Sequence, residues 1–305
     1  MNTPPSIRVA NAPCSWGVLE FDLPGEALGY AQVLDEMCDT GFTGTELGDW
    51  GFMPAEPKRL REELSLRGLE LLGAFVPVAF AQASAHAPGE ERAIRTARLM
   101  AEVAGTHPFI VLADDNGKDP VRVQCAGRIT PDQGLEPAAW EMFSEGVERV
   151  AAAVRRETGL RSVFHHHAAG FVETPLEIHE LMRRTDAALL GLCFDTGHYR
   201  FGGGADVFEG WRQFRDRIWH VHFKDCHPEV HARSRACRWN YFDSLKHGIF
   251  CELGTGDVPF PDLLEAMQQS HYDGWIVVEQ DVLPGTGAPK EFARRNRDYL
   301  RRCGL

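Results

Sequence analysis

The chain alternates apolar runs with amphipathic stretches from one end to the other, and that alternation leaves few folds open to it. Apolar runs of strand length occupy residues 8–13, 43–47, 69–78, 109–113, 161–167, 190–195, 219–224 and 275–279. Helical patterns follow them at 25–39, 57–67, 89–104, 137–158, 175–184, 205–214, 260–269 and 289–302. Strands that are apolar throughout belong to parallel sheets covered on both faces. Eight strand-then-helix units in order predict an α/β fold, a closed (β/α)8 TIM barrel, over an open doubly wound sheet. The chain has 305 residues, 44% of them hydrophobic, and one such barrel takes roughly 250. No linker or low-complexity tract divides it, so a single domain over 1–305 is expected.

Several helix boundaries have local chemical support. Thr174 and Pro175 place a capping hydroxyl and a proline at a helix start, with Glu177 in the first turn. Gly41 and Gly68 stand where helices commonly stop in the left-handed conformation. One segment breaks the rhythm. Residues 226–257, rich in aromatic and charged side chains, separate the seventh strand from the next helix. In a barrel such an insertion lies over the catalytic face, so it reads as a lid or substrate loop.

Composition narrows the partners. A formal charge of −12 repels phosphate backbones, so nucleic acid is not expected. No apolar run approaches the roughly 18 residues that cross a bilayer, so no membrane partner is expected either. The opening MNTPPSIRVANAPCSWG lacks the basic-then-apolar pattern of a secretory signal. Eight scattered cysteines include no CxxC pair, which speaks against a thiolate zinc site and for reduced thiols in a cytoplasmic protein. No GxGxxG follows the first strand, and no Lys–Ser/Thr follows Gly202-Gly203-Gly204, so neither a dinucleotide fingerprint nor a phosphate cradle is present.

Four of the strand runs end in groups that bind divalent metal: His165-His166-His167, Asp195 with His198, His220-Val221-His222 with Lys224, and Glu279 with Asp281. Strand side chains alternate in direction. If Asp195 faces the barrel mouth, so does Cys193; His222 brings His220 and Lys224; Glu279 brings Val277 and Asp281; His165 and His167 share a face and leave His166 outward. Strands five to eight can then each offer a ligand to one point. Mixed carboxylate and imidazole donors without thiolate suit one divalent ion, Mn²⁺ or Co²⁺ ahead of Mg²⁺, Fe²⁺ or Zn²⁺. Each residue also has a plainer reading. Asp195 could cap a helix, His220 could be a packed core histidine, and Glu279 could be a solvated strand end. Glu46, ending strand two, could bind substrate or cap the next helix; Trp16 could wall a pocket or fill the core.

These motifs resemble the xylose-isomerase-like barrel superfamily. Asp195-Thr196-Gly197-His198, His220-Val221-His222-Phe223-Lys224-Asp225 and Val278-Glu279 match its last three ligand strands. Within it the chain is most similar to the inosose (2-keto-myo-inositol) dehydratases. The matching stretches are Asn11–Gly17, Gly41–Gly48, Phe164–His167 through Phe171–Pro175, and Gly274–Asp281. The resemblance implies metal ligands at Asp195, His222 and Glu279. The superfamily's fourth ligand is a Glu ending strand five; here that place falls to His165, or to His167. Glu252, before a Gly-x-Gly, departs from the more neutral segment of the dehydratases.

The resemblance implies loss of water from a cyclic polyol ketone to give a dione. Glu279, His198, His165 or His167 could take the proton α to the ketone; Lys224 or a protonated histidine could be the acid or hold the enolate charge. Glu46, Trp16 and His220 are the expected substrate contacts. The alternative is a metal-dependent ketose or sugar isomerase or epimerase on the same barrel. Phe201, Trp239, Tyr241 and Phe242, read as loop residues, could pack across the interface of a homo-oligomer or close over substrate.

Overall fold

Every expected apolar run contributes one strand to a closed parallel barrel. The computed structural model describes residues 7–305 other than 22, 26, 27 and 106. The strands are β1 (Arg8–Asn11), β2 (Gly44–Glu46), β3 (Glu70–Pro77), β4 (Phe109–Ala113), β5 (Arg161–His165), β6 (Leu190–Asp195), β7 (Ile218–Phe223) and β8 (Trp275–Val278). Each pairs with its neighbours in sequence, and β8 closes on β1 with Arg8 opposite Trp275. The helices Tyr30–Thr40, Pro57–Arg67, Ala83–Val103, Pro137–Thr158, Pro175–Arg184, Val207–Phe214, Phe260–Gln269 and Pro289–Arg302 occupy the expected crossovers. Part of the expected helix at 25–39 lies outside the described residues, at Glu26 and Ala27.

Most boundary differences have local causes. β1 stops at Asn11 because Pro13 has no N–H for the ladder and opens a 3₁₀ turn, Pro13–Trp16. β5 stops at His165, so His166 and His167 stand on the following turn and strand alternation no longer governs them. A short helix, Thr196–Phe201, follows β6 at once because Asp195 caps it. Thr174 and Glu177 form the reciprocal capping box of the helix Pro175–Arg184.

Alternation holds inside the barrel. The large core packs the outer faces of the strands against the helices. Two smaller clusters fill the interior, Ala10 with Leu72, Trp275 and Val277, and Phe109 with Val111, Val163 and Cys193. Above this apolar plug, at the C-terminal ends of β5 to β8, the side chains turn to imidazole and carboxylate.

The insertion 226–257 is not an extended loop. It folds as two helices, Pro228–Cys237 and Tyr241–Lys246, between a paired Asp225–Cys226 and Phe250–Cys251. The buried Asp225 carboxylate accepts from the backbone N–H groups of Cys226, Gly254, Gly256 and Val258, which ties both ends together. Tyr241, Leu245, Ile249 and Phe250 pack with Ala126, Ala168, Ala169 and Phe201 in a second small core beside the barrel mouth. This corrects the expectation for two aromatics: Phe201 and Tyr241 are fully buried and offer nothing to a subunit interface. Trp239 stacks on His247 at 3.8 Å, and Phe242 packs on Phe21 at 5.2 Å.

Candidate active site

Four strand ends bring His165, Asp195, His222 and Glu279 together, all buried, with one donor atom from each lying within 4.8 Å of the others. The register explains the convergence. Asp195 is paired opposite His222 across β6 and β7, and the Glu279 N–H extends the β8 ladder by donating to the Phe223 carbonyl at 3.0 Å.

Asp195 caps a helix with one oxygen and turns the other toward the cluster. Its Oδ1 accepts from the His198 N–H at 2.7 Å and caps the short helix. Its Oδ2 faces His165 Nε2 at 3.6 Å, Lys224 Nζ at 3.6 Å and His222 Nδ1 at 3.8 Å. His222 is oriented from behind. The Glu46 carboxylate can only accept, so His222 Nε2, 3.0 Å from Glu46 Oε1, carries the hydrogen. In the neutral ring this leaves the Nδ1 lone pair pointing at Glu279 Oε2, 3.3 Å away. A lone pair facing two carboxylates is unfavourable unless a cation lies between them.

Both nitrogens of His165, Asp195 Oδ2 and His222 Nδ1 are buried without a hydrogen-bond partner among the described residues. Buried polar atoms are almost always partnered. Unpartnered atoms on two imidazoles and one carboxylate, with the Glu279 carboxylate aimed at the same point, therefore fit one divalent ion. His165 fills the place on β5; His167 does not join this group but meets His198 and Asp281.

Glu46 supports the cluster. Its Oε1 also faces His220 Nε2 at 2.6 Å. Burial alone would raise its carboxyl, but His222 and His220 overcome that and hold it at about 2. Gly73 makes room for it, since a Cβ there would lie 2.6 Å from Glu46 Oε1.

Lys224, itself buried, lies beside the cluster. Its Nζ is 2.9 Å from Asp281 Oδ1, 3.1 Å from Glu279 Oε2 and 3.0 Å from His198 Nε2. Burial would lower its ammonium, but Asp195, Asp281 and Glu279 hold it well above its usual value. His198 Nδ1 accepts from the Ala168 N–H at 3.2 Å.

A cleft of about 60 Å³ opens on this group, lined among others by Cys14, Val18, Glu20, Asp49, Phe75, His165, His167, Lys224, Glu279 and Asp281. Larger cavities of about 730 and 660 Å³ exist elsewhere. The first lies at the opposite end of the barrel, by Arg8, Phe109, Arg161 and Trp275, which begin their strands. Neither has the unpaired donors of the strand ends, so the small cleft is the candidate active site.

Two expected substrate contacts are corrected here. Trp16 is 1% exposed, and its indole N–H donates to Glu36 at 2.7 Å, in the core rather than at the cleft. His220 is also 1% exposed and lies beneath the cluster against Glu46. Glu46 reaches the edge of the cleft, but the oxygen it uses is already engaged by both histidines. His198 is fully buried behind Lys224 rather than lining the cleft. Sequence reasoning passed over Glu20, which sits past the 3₁₀ turn where strand periodicity gives no guide. Asp281 was signalled by its parity with Glu279.

The sequence model of a family described as xylose isomerase-like TIM barrel matches residues 34–303. The chain belongs to the xylose isomerase-like TIM-barrel family. Among curated members, the inosose dehydratase of Lacticaseibacillus casei is 30% identical over 295 residues, covering 97% of this chain and 96% of the relative. The inosose dehydratase of Geobacillus kaustophilus is 32% identical over 302 residues, covering 97% and 94%. Solved structures of this xylose isomerase-like fold include a probable 3-DHS dehydratase from Bacillus anthracis. It has a TM-score of 0.70 at 14% identity and covers 97% of this chain and 99% of that one. A D-allulose 3-epimerase from Methylomonas has a TM-score of 0.69 at 15% identity and covers 99% and 100%. No helix of the described residues is long and apolar enough to cross a membrane.

Proposed function

We propose that this chain is a metal-dependent hydro-lyase that removes water from a cyclic polyol ketone such as 2-keto-myo-inositol, giving a cyclohexane dione, as a step of inositol catabolism. The observation that carries it is the convergence of His165, Asp195, His222 and Glu279, the first three with unpaired donor atoms, beside the Lys224–Asp281 pair. It occurs in a chain about 30% identical, over nearly its whole length, to inosose dehydratases. The two imidazoles and two carboxylates would hold Mn²⁺ or Co²⁺. When bound, the ion supplies Lewis acidity to the ketone and draws off charge that develops on its oxygen.

The chain's own groups divide the remaining work. Glu279, from the β8 side, takes the proton α to the ketone. Lys224 donates toward Asp281 and Glu279 and brings a fixed positive charge to the side where the enolate grows. His198 holds Lys224 in place. His167 lines the β5 side of the cleft. Typical ligand pockets measure about 300–1,000 Å³, so a ring-sized substrate enters only if a wall of the cleft moves.

An NMR time course of the Mn²⁺-loaded protein with 2-keto-myo-inositol in D₂O tests the reading. Dione formation, abolished by chelator and restored by Mn²⁺ or Co²⁺, is expected. Deuterium uptake at the α-carbon without elimination would mean an isomerase or epimerase instead. Asp195→Ala and Glu279→Ala should each abolish metal binding and turnover; retained activity at saturating substrate would remove the site.

A further inference from the structure

Glu20 stands on the segment between the 3₁₀ turn after β1 and the first helix, away from every strand end. Its carboxyl nevertheless lines the cleft, with 17% of the side chain exposed and Oε1 3.4 Å from His167 Nε2. The hydrogen bonding of His167 determines what that contact can be. His167 Nδ1 is 2.6 Å from the carbonyl oxygen of Ala168, and a carbonyl only accepts, so Nδ1 carries the hydrogen. The neutral ring then shows a lone pair at Nε2. A carboxylate has nothing to give a lone pair, whereas a carboxylic acid has its O–H. Burial and the charge of Asp281 push the Glu20 carboxyl up to about 8. An acid group that keeps its proton at neutral pH, at the edge of a cleft, is what a departing hydroxide needs.

We propose that Glu20 is the acid that protonates the leaving hydroxyl, held toward the cleft by His167; this rests on the dehydratase reading. Glu279 removes the α-proton, and the C–H electron pair becomes the new C=C bond. The C–O bond at the β-carbon breaks with its pair on oxygen, and the Glu20 proton moves to that oxygen, so that water leaves. Glu279 then carries one proton and Glu20 none; exchange through solvent restores both, and the net change is loss of one water. A base that follows β8 and an acid on the segment after β1 divide the two proton transfers between different groups.

The test separates the two transfers. Metal-loaded wild type, E20Q and E20D are followed in D₂O with 2-keto-myo-inositol, reading deuterium at the α-carbon and dione independently, with metal content and melting temperature as controls. E20Q should lose elimination by about 10²–10⁴-fold while its α-exchange stays within a few-fold of wild type. E20D, which keeps an acid on a shorter stem, should retain part of the elimination. With an analogue that carries fluoride in place of the departing hydroxyl, E20Q should regain most of the wild-type rate, because fluoride leaves without a proton. Exchange and elimination falling together in both variants, or no rescue by the fluoro analogue, would overturn the role. So would E20Q eliminating at the wild-type rate. Wild type that neither exchanges nor eliminates would overturn the dehydratase reading itself.

Discussion

Replacing Glu46 with glutamine tests whether His222 is kept ready for metal by the carboxylate behind it. Glu46 Oε1 is 2.6 Å from His220 Nε2 and 3.0 Å from His222 Nε2, and the residue is only 4% exposed. Its carboxyl falls from 4.5 to about 2 on folding, which corresponds to about 3 kcal/mol. Cys193, Glu279 and Glu46 together raise His222 against its burial, and the share that belongs to the Glu46 pair is counted once. A depressed carboxyl stabilises the fold above its unfolded value and loses that contribution as the pH falls toward the folded one. The metal-free wild type should therefore lose about 3 kcal/mol between pH 4.5 and 2 from this group, and E46Q should lack that slope. Glutamine keeps an acceptor oxygen but not the charge that makes Nδ1 of His222 a strong donor. Loss of such an outer partner typically weakens metal binding about 10–100-fold. Calorimetric Mn²⁺ titration and denaturant unfolding of the metal-free forms measure both effects. E46Q with wild-type metal affinity and an unchanged acid limb would refute the assignment of Glu46 as the partner that orients His222.

Three further outcomes follow from particular contacts. Gly73→Ala places a methyl 2.6 Å from Glu46 Oε1; it should cost about 1–3 kcal/mol by overpacking and weaken metal binding with it, whereas a stability loss with normal metal affinity would mean that Glu46 did not move. Glu173, fully buried, accepts from the Gly127 and Ala169 N–H groups, and burial raises its carboxyl from 4.5 to about 7. The folded chain then binds the extra proton, so stability falls as pH rises through that window, by about 3 kcal/mol in all. The difference in unfolding free energy between wild type and E173Q, taken at pH 5 and pH 8, should show this, and a pH-independent difference would contradict it. Arg122 is fully buried and holds Glu177 bidentately at 2.8 and 2.9 Å; R122M should cost about 3–5 kcal/mol in denaturant unfolding, because it strands a buried carboxylate, and a loss under about 1 kcal/mol would show that water or another donor replaces it.

The barrel was legible in the chain because apolar periodicity reports which faces are covered, and eight covered strands with eight crossovers close in one way. Strand parity also placed Asp195, His222 and Glu279 on the mouth side, since a period of two is a property of extended backbone alone. It failed where strands end. His167 lies past the end of β5, so alternation could not choose between it and His165. Trp16, His220 and Glu46 shared the cues of substrate contacts, yet partners far away in sequence drew them inward: Glu36 for Trp16, and each other for the remaining two. The insertion looked like a loop because its helices are short and weakly patterned, and the Asp225 carboxylate that gathers it bonds residues as distant as Val258. Glu20 had no sequence signal, being an acid between apolar neighbours on irregular chain. By itself, the sequence determined the barrel, its direction and three of the four converging side chains, which follow from local periodicity. Only the tertiary structure decided which histidine completes them, which carboxylate orients His222 and which acid faces the cleft, because those depend on distances between groups far apart in the chain.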